Sequence, residues 1–351
     1  MLREMKLLRN IAPAAAALLM MAAGCNSTPV RQEERAMEPP TPAQKATVER
    51  RAAALRRALA PLKVRGVGVP LSSYRHRLFP GAEIMKFVRQ LGFNRLYCYI
   101  SSETELDDEL RGLVGTASKE GIPVELMVRQ GDFRHRFRGN ALVRSFLPQF
   151  RKLPDLAAEI VKFNDSLPPS SRLAGVTVRF EPHLFTRANG ADRIPGLIWM
   201  WSDLTFGKGL DNDKLVESSI EVFKEMKSKL NGIPLTVELP DFYPVWYAGG
   251  ALSRGRVPDF AAFDGVMIQC SGNVPSALVR GYAAGSGGRP LVALILLADH
   301  SSVSRGALRR RDWNDFVRAI DYFVRNAAKQ KCPGVVLMPL FELGFMLLEQ
   351  D

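Results

Sequence analysis

The sequence predicts an α/β fold: a single closed (β/α)8 TIM barrel, preceded by an export signal, a tether and one helix. Three observations carry that prediction. Eight short, mostly apolar runs recur along residues 63–351. They are separated largely by stretches with apolar residues at helical spacing, an alternation that builds a parallel sheet covered on both faces. No GxGxxG follows the first run and no GxxxxGK[ST] occurs, so an open doubly wound sheet around a phosphate cradle is the runner-up.

The chain begins with a basic stretch containing Arg3, Lys6 and Arg9. An apolar run over 11–23 follows, then Ala22-Ala23-Gly24-Cys25. This order reads as a signal peptide over residues 1–24. The run is short of the about 20 residues that a membrane-spanning helix needs. The small residues before Cys25 resemble the lipobox of bacterial lipoproteins, although Ala22 stands where that family more often has Leu. The resemblance implies cleavage before Cys25 and acylation of its thiol and new amine, a palmitate-type membrane anchor. An ordinary secretory signal is the alternative. Asn26 rather than Asp follows Cys25, which by the same analogy favours the outer membrane over the inner.

Residues 25–42 are polar and Pro-rich and read as a tether. Residues 43–62 turn to Ala, Arg, Leu and Glu, a predicted surface helix. Its Arg50-Arg51 and Arg56-Arg57 pairs read as a solvated face, with anionic headgroups as the alternative contact.

The repeating units follow. Strands are expected over 64–71, 95–100, 123–128, 174–183, 234–239, 263–270, 290–297 and 334–339. Helices are expected over 82–91 (Ile84, Phe87, Val88, Leu91), 106–119 (Leu106, Leu110, Leu113, Ala117) and 156–163. Two more are expected over 214–230 (Val222, Phe223, Met226, Leu230) and 313–328 (Phe316, Ile320, Phe323, Val324). Gly92, Gly121 and Gly232 are the expected stops of three of them.

The 351 residues are 46% hydrophobic, ample for a large core, and carry +12. Basic chains meet nucleic acid, anionic lipid or acidic polymers. Loss of residues 1–24 removes three basic and one acidic residue and leaves about +10. Export argues against nucleic acid and leaves lipid headgroups and acidic glycans as partners. Of four cysteines, Cys25 is assigned to lipid; Cys98, Cys270 and Cys332 make no disulfide framework. With no CxxC and four histidines, neither a metal nor a cofactor is expected.

In such barrels the active site lies at the C-terminal ends of the strands. The residues expected there are Tyr74 after the first strand and Glu103 after the second, then Arg129 and Asp132 after the third. The fourth gives Arg179 and Glu181, the fifth Glu238 and Tyr243, the sixth Gln269, the seventh Asp299 and the last Glu342. Several carboxylates round one mouth suit glycoside hydrolysis, where one acts as acid and another as base or nucleophile. Trp199, Trp201, Tyr243 and Trp246 offer flat rings for sugar faces, or else cover the rim. Arg129 opens a run with Arg134, Arg136, Arg138 and Arg144. It reads as a solvated loop or as a clamp for the acidic groups of a glycan.

The fourth strand, AGVTVRFE over 174–181, resembles the strand-four signature of chitinase-like family 18 glycoside hydrolases, Asp-Gly-apolar-Asp-apolar-Asp-apolar-Glu. Gly175, Val176, Val178, Phe180 and Glu181 match; Ala174, Thr177 and Arg179 replace the aspartates. The last strand loosely resembles that family's, with Met338 where a Trp is expected. Glu181-Pro182 is also similar to the Asn-Glu-Pro of the large retaining glycosidase clan, with Phe180 in place of Asn. The resemblance implies that Glu181 holds the inherited acid position. Arg179, two residues away on the same strand face, favours the charged carboxylate and opposes that role. It argues against a chitinase mechanism and leaves Glu181 as nucleophile, substrate-binding group or ion-pair partner.

The sequence thus points to a lipid-anchored envelope protein of glycoside hydrolase type. Glu181, Glu238 and Asp299 are its catalytic candidates. Arg129, Arg179, Tyr74, Gln269, Trp199, Trp201, Tyr243 and Trp246 are its substrate-binding candidates. The alternative is a non-catalytic glycan-binding lipoprotein on the same scaffold.

Overall fold

The computed structural model describes residues 41–71, 81–100, 103–128, 153–179, 212–239, 262–270, 291–296, 313–329, 332–338 and 340–348. Cys25, Tyr74, Arg129, Glu181, Trp199, Trp201, Tyr243, Trp246 and Asp299 lie outside the described residues, as do the signal peptide and nearly all of the expected tether.

Helix α1 (Pro42–Leu59) starts on a capping box, with the Thr41 side chain on the Gln44 N–H and Gln44 reaching back to Thr41. It leads into β1 (Val64–Pro70), and the chain then alternates through α2 (Gly81–Gln90), β2 (Arg95–Ile100), α3 (Asp108–Lys119) and β3 (Val124–Val128). Next come α4 (Leu153–Asp165), β4 (Gly175–Arg179), α5 (Asn212–Lys229), β5 (Leu235–Leu239), β6 (Gly265–Cys270) and β7 (Leu291–Leu296). The described chain ends with α6 (Trp313–Lys329), β8 (Gly334–Met338) and α7 (Leu340–Leu348). Gly92, Gly121 and Gly232 follow α2, α3 and α5 with φ of +80°, +67° and +89°. A left-handed residue after the last turn needs a glycine, which is why these positions mark the helix ends.

All neighbouring strands pair in parallel, in the order β1 to β8, and β8 returns to β1 through Val64 opposite Gly334 and Val67 opposite Leu337. The (β/α)8 barrel expected from the sequence is therefore the observed fold, and the open sheet is excluded by the β1–β8 pairing.

Strand alternation sorts the apolar residues into two cores. Outward residues such as Val67, Leu96, Leu126, Val176, Val237, Val266, Ile295 and Val335 pack under the helices. Inward residues form a separate cluster of Tyr97, Tyr99, Met127, Met267, Leu294, Val336 and Met338. Gly66 and Gly68 of β1 make room for this cluster: a Cβ on Gly66 would overlap the Tyr97 ring, and one on Gly68 would lie 2.7 Å from Met338 Cγ.

Two expectations are corrected. Arg51 is not on a solvated face; it is buried and donates to the Leu347 carbonyl at 3.0 Å. The reason is periodicity: Val48, Arg51, Ala52, Leu55, Ala58 and Leu59 share the buried face of α1. That face lies against α6 and α7. The apolar run after β8 forms helix α7, so Glu342 sits within a helix and not at a strand end.

Candidate functional site

Two of the residues singled out in the sequence meet at the C-terminal end of the barrel. Arg179 is the last residue of β4 and Glu238 the fourth of β5, and the register sets them opposite each other. Arg179 Nε and Nη2 approach Glu238 Oε1 at 3.1 and 2.9 Å. The Arg179 side chain is 20% exposed and that of Glu238 is 3% exposed. The pair is thus largely withdrawn from solvent, Glu238 more than Arg179. Gln269 follows on β6, in register with Leu294 of β7.

The alternation of β4 explains the placement. Val176 and Val178 point to the outer core, so Thr177 and Arg179 point into the lumen. On β5, Val237 and Leu239 are outward and Glu238 inward. The sequence set Arg179 beside Glu181 along one strand; the described partner of Arg179 is Glu238, across the β4–β5 ladder. A carboxylate oxygen that already takes two guanidinium N–H groups suits a charged role, as nucleophile or hydrogen-bond acceptor, better than that of proton donor.

A second polar group was missed in the sequence. Glu125 of β3 is buried among apolar neighbours, accepts from the Thr177 hydroxyl, and pairs with Arg95 Nη1 at 3.1 Å. The Tyr97 hydroxyl interacts electrostatically with both Arg95 and Glu125. Burial pushes the Glu125 carboxyl above the usual carboxylate range, against the opposing pull of Thr177, Arg95 and Tyr97. Burial likewise raises the Tyr97 hydroxyl well above its usual value. Gly175 on the neighbouring strand lies close by: a Cβ there would sit 3.4 Å from the Glu125 carboxyl carbon, an ordinary contact, and a tighter 3.2 Å from the Pro234 carbonyl. The signal was present: one charged residue in the run VELMV, on the same side as Met127, opposite a strand that opens on Arg95.

Among the described residues, the polar groups of the lumen come from β2 to β5: Arg95 at the N-terminal end, then Glu125 and Thr177, then Arg179 and Glu238 at the mouth. They lie beside the inward apolar cluster, which reaches from Tyr97, Tyr99 and Met127 round to Met267, Leu294, Val336 and Met338. Cys98 and Cys332 are buried thiols of the outer core outside any disulfide, pushed up to about 12 and about 11 by burial; Cys332 donates to the Gly334 carbonyl at 3.4 Å, and both lie away from the Arg179–Glu238 pair.

The sequence matches no family model and no curated protein. Among solved structures, the chain is similar to a β-galactosidase from the psychrophilic Marinomonas ef1, at 10% identity over 79% of this chain and 54% of that one, with a TM-score of 0.48. It is similar to the GH53 catalytic domain of Ignisphaera aggregans at 11% identity over 78% and 84%, TM-score 0.46. A phosphoenolpyruvate phosphomutase from Streptomyces platensis subsp. rosaceus matches at 16% identity over 81% and 79%, TM-score 0.38. Their named activities differ, from phosphomutase to glycoside hydrolase.

Proposed function

We propose that this chain is a lipid-anchored protein of the cell envelope, held through Cys25 in the outer membrane in preference to the inner, whose barrel mouth acts on a glycan. The observation that carries the reading is the Arg179–Glu238 pair at the C-terminal ends of β4 and β5. Two charges withdrawn from water cost more than an apolar pair of similar volume. A barrel that keeps them at the rim where such folds do chemistry uses them for a ligand. Glu238 supplies a fixed carboxylate, Arg179 a cation towards acidic or hydroxyl-rich groups, and Glu181 or Asp299 the second carboxylate. In a retaining scheme Glu238 is the nucleophile and the second group the proton donor.

One observation favours the second reading, a glycan receptor without catalysis: Glu238 is held in an ion pair with Arg179 at 2.9 Å, which engages the carboxylate that hydrolysis would use.

The test uses the mature chain and its Glu181→Gln and Glu238→Gln variants, each checked for an unchanged melting transition. All are incubated with neutral and acidic oligosaccharides, and binding and reducing-end release are followed together. Release by the parent alone supports hydrolysis. Binding without release by all three establishes a receptor. Neither binding nor release removes the glycan reading.

A further inference from the structure

The outward face of α1 differs from the rest of the described surface in how its charges are paired. Elsewhere on the helices most exposed basic side chains sit against acids, Lys119 being an exception: Lys86 on Glu83, Arg89 on Glu120, Lys162 on Glu159, Lys224 on Glu221, Arg318 on Asp315 and Arg325 on Asp321. On α1 there are five basic residues and one acid, Glu49. Arg51 is taken into the interior and Arg56 donates to the Gln90 carbonyl at the end of α2. Among the described residues, the Arg50 guanidinium donates to the Thr47 hydroxyl at 3.2 Å. Neither Arg50 nor Arg57 meets an acid among the described residues.

Geometry makes these two arginines a pair. They are seven residues apart, so they lie on the same side of the helix, about 10 Å apart along its axis. That side is the one turned from α6 and α7, because Val48, Leu55 and Leu59 occupy the opposite stripe. The residues between and beside the arginines on this side are Ala46, Ala53 and Ala60, which leave a low, flat strip with both guanidinium groups standing above it. Lys63, exposed just past the helix, extends the positive surface towards β1.

We propose that this strip of α1, centred on Arg50 and Arg57, is a docking surface for the anionic headgroups of the membrane that bears the anchor. The inference rests on the anchored reading above. Fifteen residues separate Cys25 from Thr41, and a chain of that length reaches at most about 55 Å, so α1 is the described element that the anchor would hold within reach of the lipid. Juxtamembrane basic residues gain from the negative surface potential, and guanidinium forks match phosphate. Because α1 belongs to the helical ring, docking by this strip lays the side of the barrel on the bilayer. The mouth with Arg179 and Glu238 then opens along the surface.

The experiment uses the mature chain with Cys25→Ser, which cannot be acylated. Co-sedimentation is measured with vesicles of pure phosphatidylcholine and with vesicles containing 30% phosphatidylglycerol, at low and high salt. The expected result is salt-sensitive binding to the anionic vesicles only. Each basic residue near such a surface is worth roughly a factor of five. Arg50→Glu with Arg57→Glu therefore weakens binding at least about 25-fold, while Lys119→Glu on α3, likewise exposed, changes it little. Equal binding to neutral vesicles, or an unchanged affinity in the double variant, overturns the proposal. So does preferential capture by a soluble acidic polysaccharide, which would assign the strip to glycan. Acylation of Cys25 is read separately by mass spectrometry of the membrane fraction. A lipidated chain that fails the vesicle assay keeps its anchor and loses the docking surface. An unlipidated one that passes keeps the surface and loses the anchor.

Discussion

At the scale of single residues, the lumen carries more charge than an apolar barrel interior requires, and Glu125 is the most exposed to test. Its carboxyl is raised above the usual range by burial. The unfolded chain therefore gives up this proton at lower pH than the folded one does. Below the unfolded value, near 4.5, both states hold the proton and Glu125 leaves stability unchanged with pH. As pH rises from there through the raised folded value, stability falls. Chemical denaturation of the parent and of Glu125→Gln across this range is expected to show the parent losing ground to the variant, with the gap levelling once the folded carboxyl has ionised. A gap that is constant with pH would mean that Arg95 and Thr177 fully offset the burial. The legibility of these residues was uneven. Arg179 and Glu238 could each be picked out as charged ends of apolar strands, but their partnership could not. It depends on which strand neighbours which and in what register, and neither is a local property. Glu125 was overlooked because a lone glutamate in an apolar run looks the same whether it faces solvent or a lumen.

At the scale of elements, helix positions were readable because apolar spacing and terminal glycines are local signals, and the strands emerged within two residues of their expected bounds, except that β4 is described only to Arg179 and its expected continuation to 183 lies outside the described residues. Two elements escaped. The run after β8 carries no expected element, since LFELGFMLL is apolar on every side and gives no helical period, yet it forms α7. The buried stripe of α1 was read as surface, since its alanines and arginines disguise a core face. That stripe makes α1 part of the barrel wall, with Leu55 and Leu59 fully buried against the elements that close the ring. Leu55→Ala is expected to lower stability by about 2–5 kcal/mol, the usual cost of a buried leucine cavity, as measured by denaturant unfolding. A cost below about 0.5 kcal/mol would be that of a surface substitution and would detach α1 from the core.

At the scale of the whole molecule, the strand order closes, and closure is what removes the two exposed sheet edges. A chain ending at residue 333 would lack β8 and α7 and leave β1 and β7 unpaired on one side. It is expected to lose the single cooperative unfolding transition of the parent in thermal melts monitored by circular dichroism; an unaltered transition would show that the β1–β8 seam is dispensable. The sequence by itself determined that eight apolar strands alternate with helices, where the helices stop, and that charged residues cluster at strand ends. These follow from residue periodicity, glycine backbone freedom and the solvation of charge, all acting over a few neighbours. Only the tertiary structure decided that Arg179 reaches Glu238, that Glu125, Thr177, Tyr97 and Arg95 share one buried network, and that α1 belongs to the ring. Each of these depends on contacts between segments distant in the chain, fixed by barrel closure and strand register.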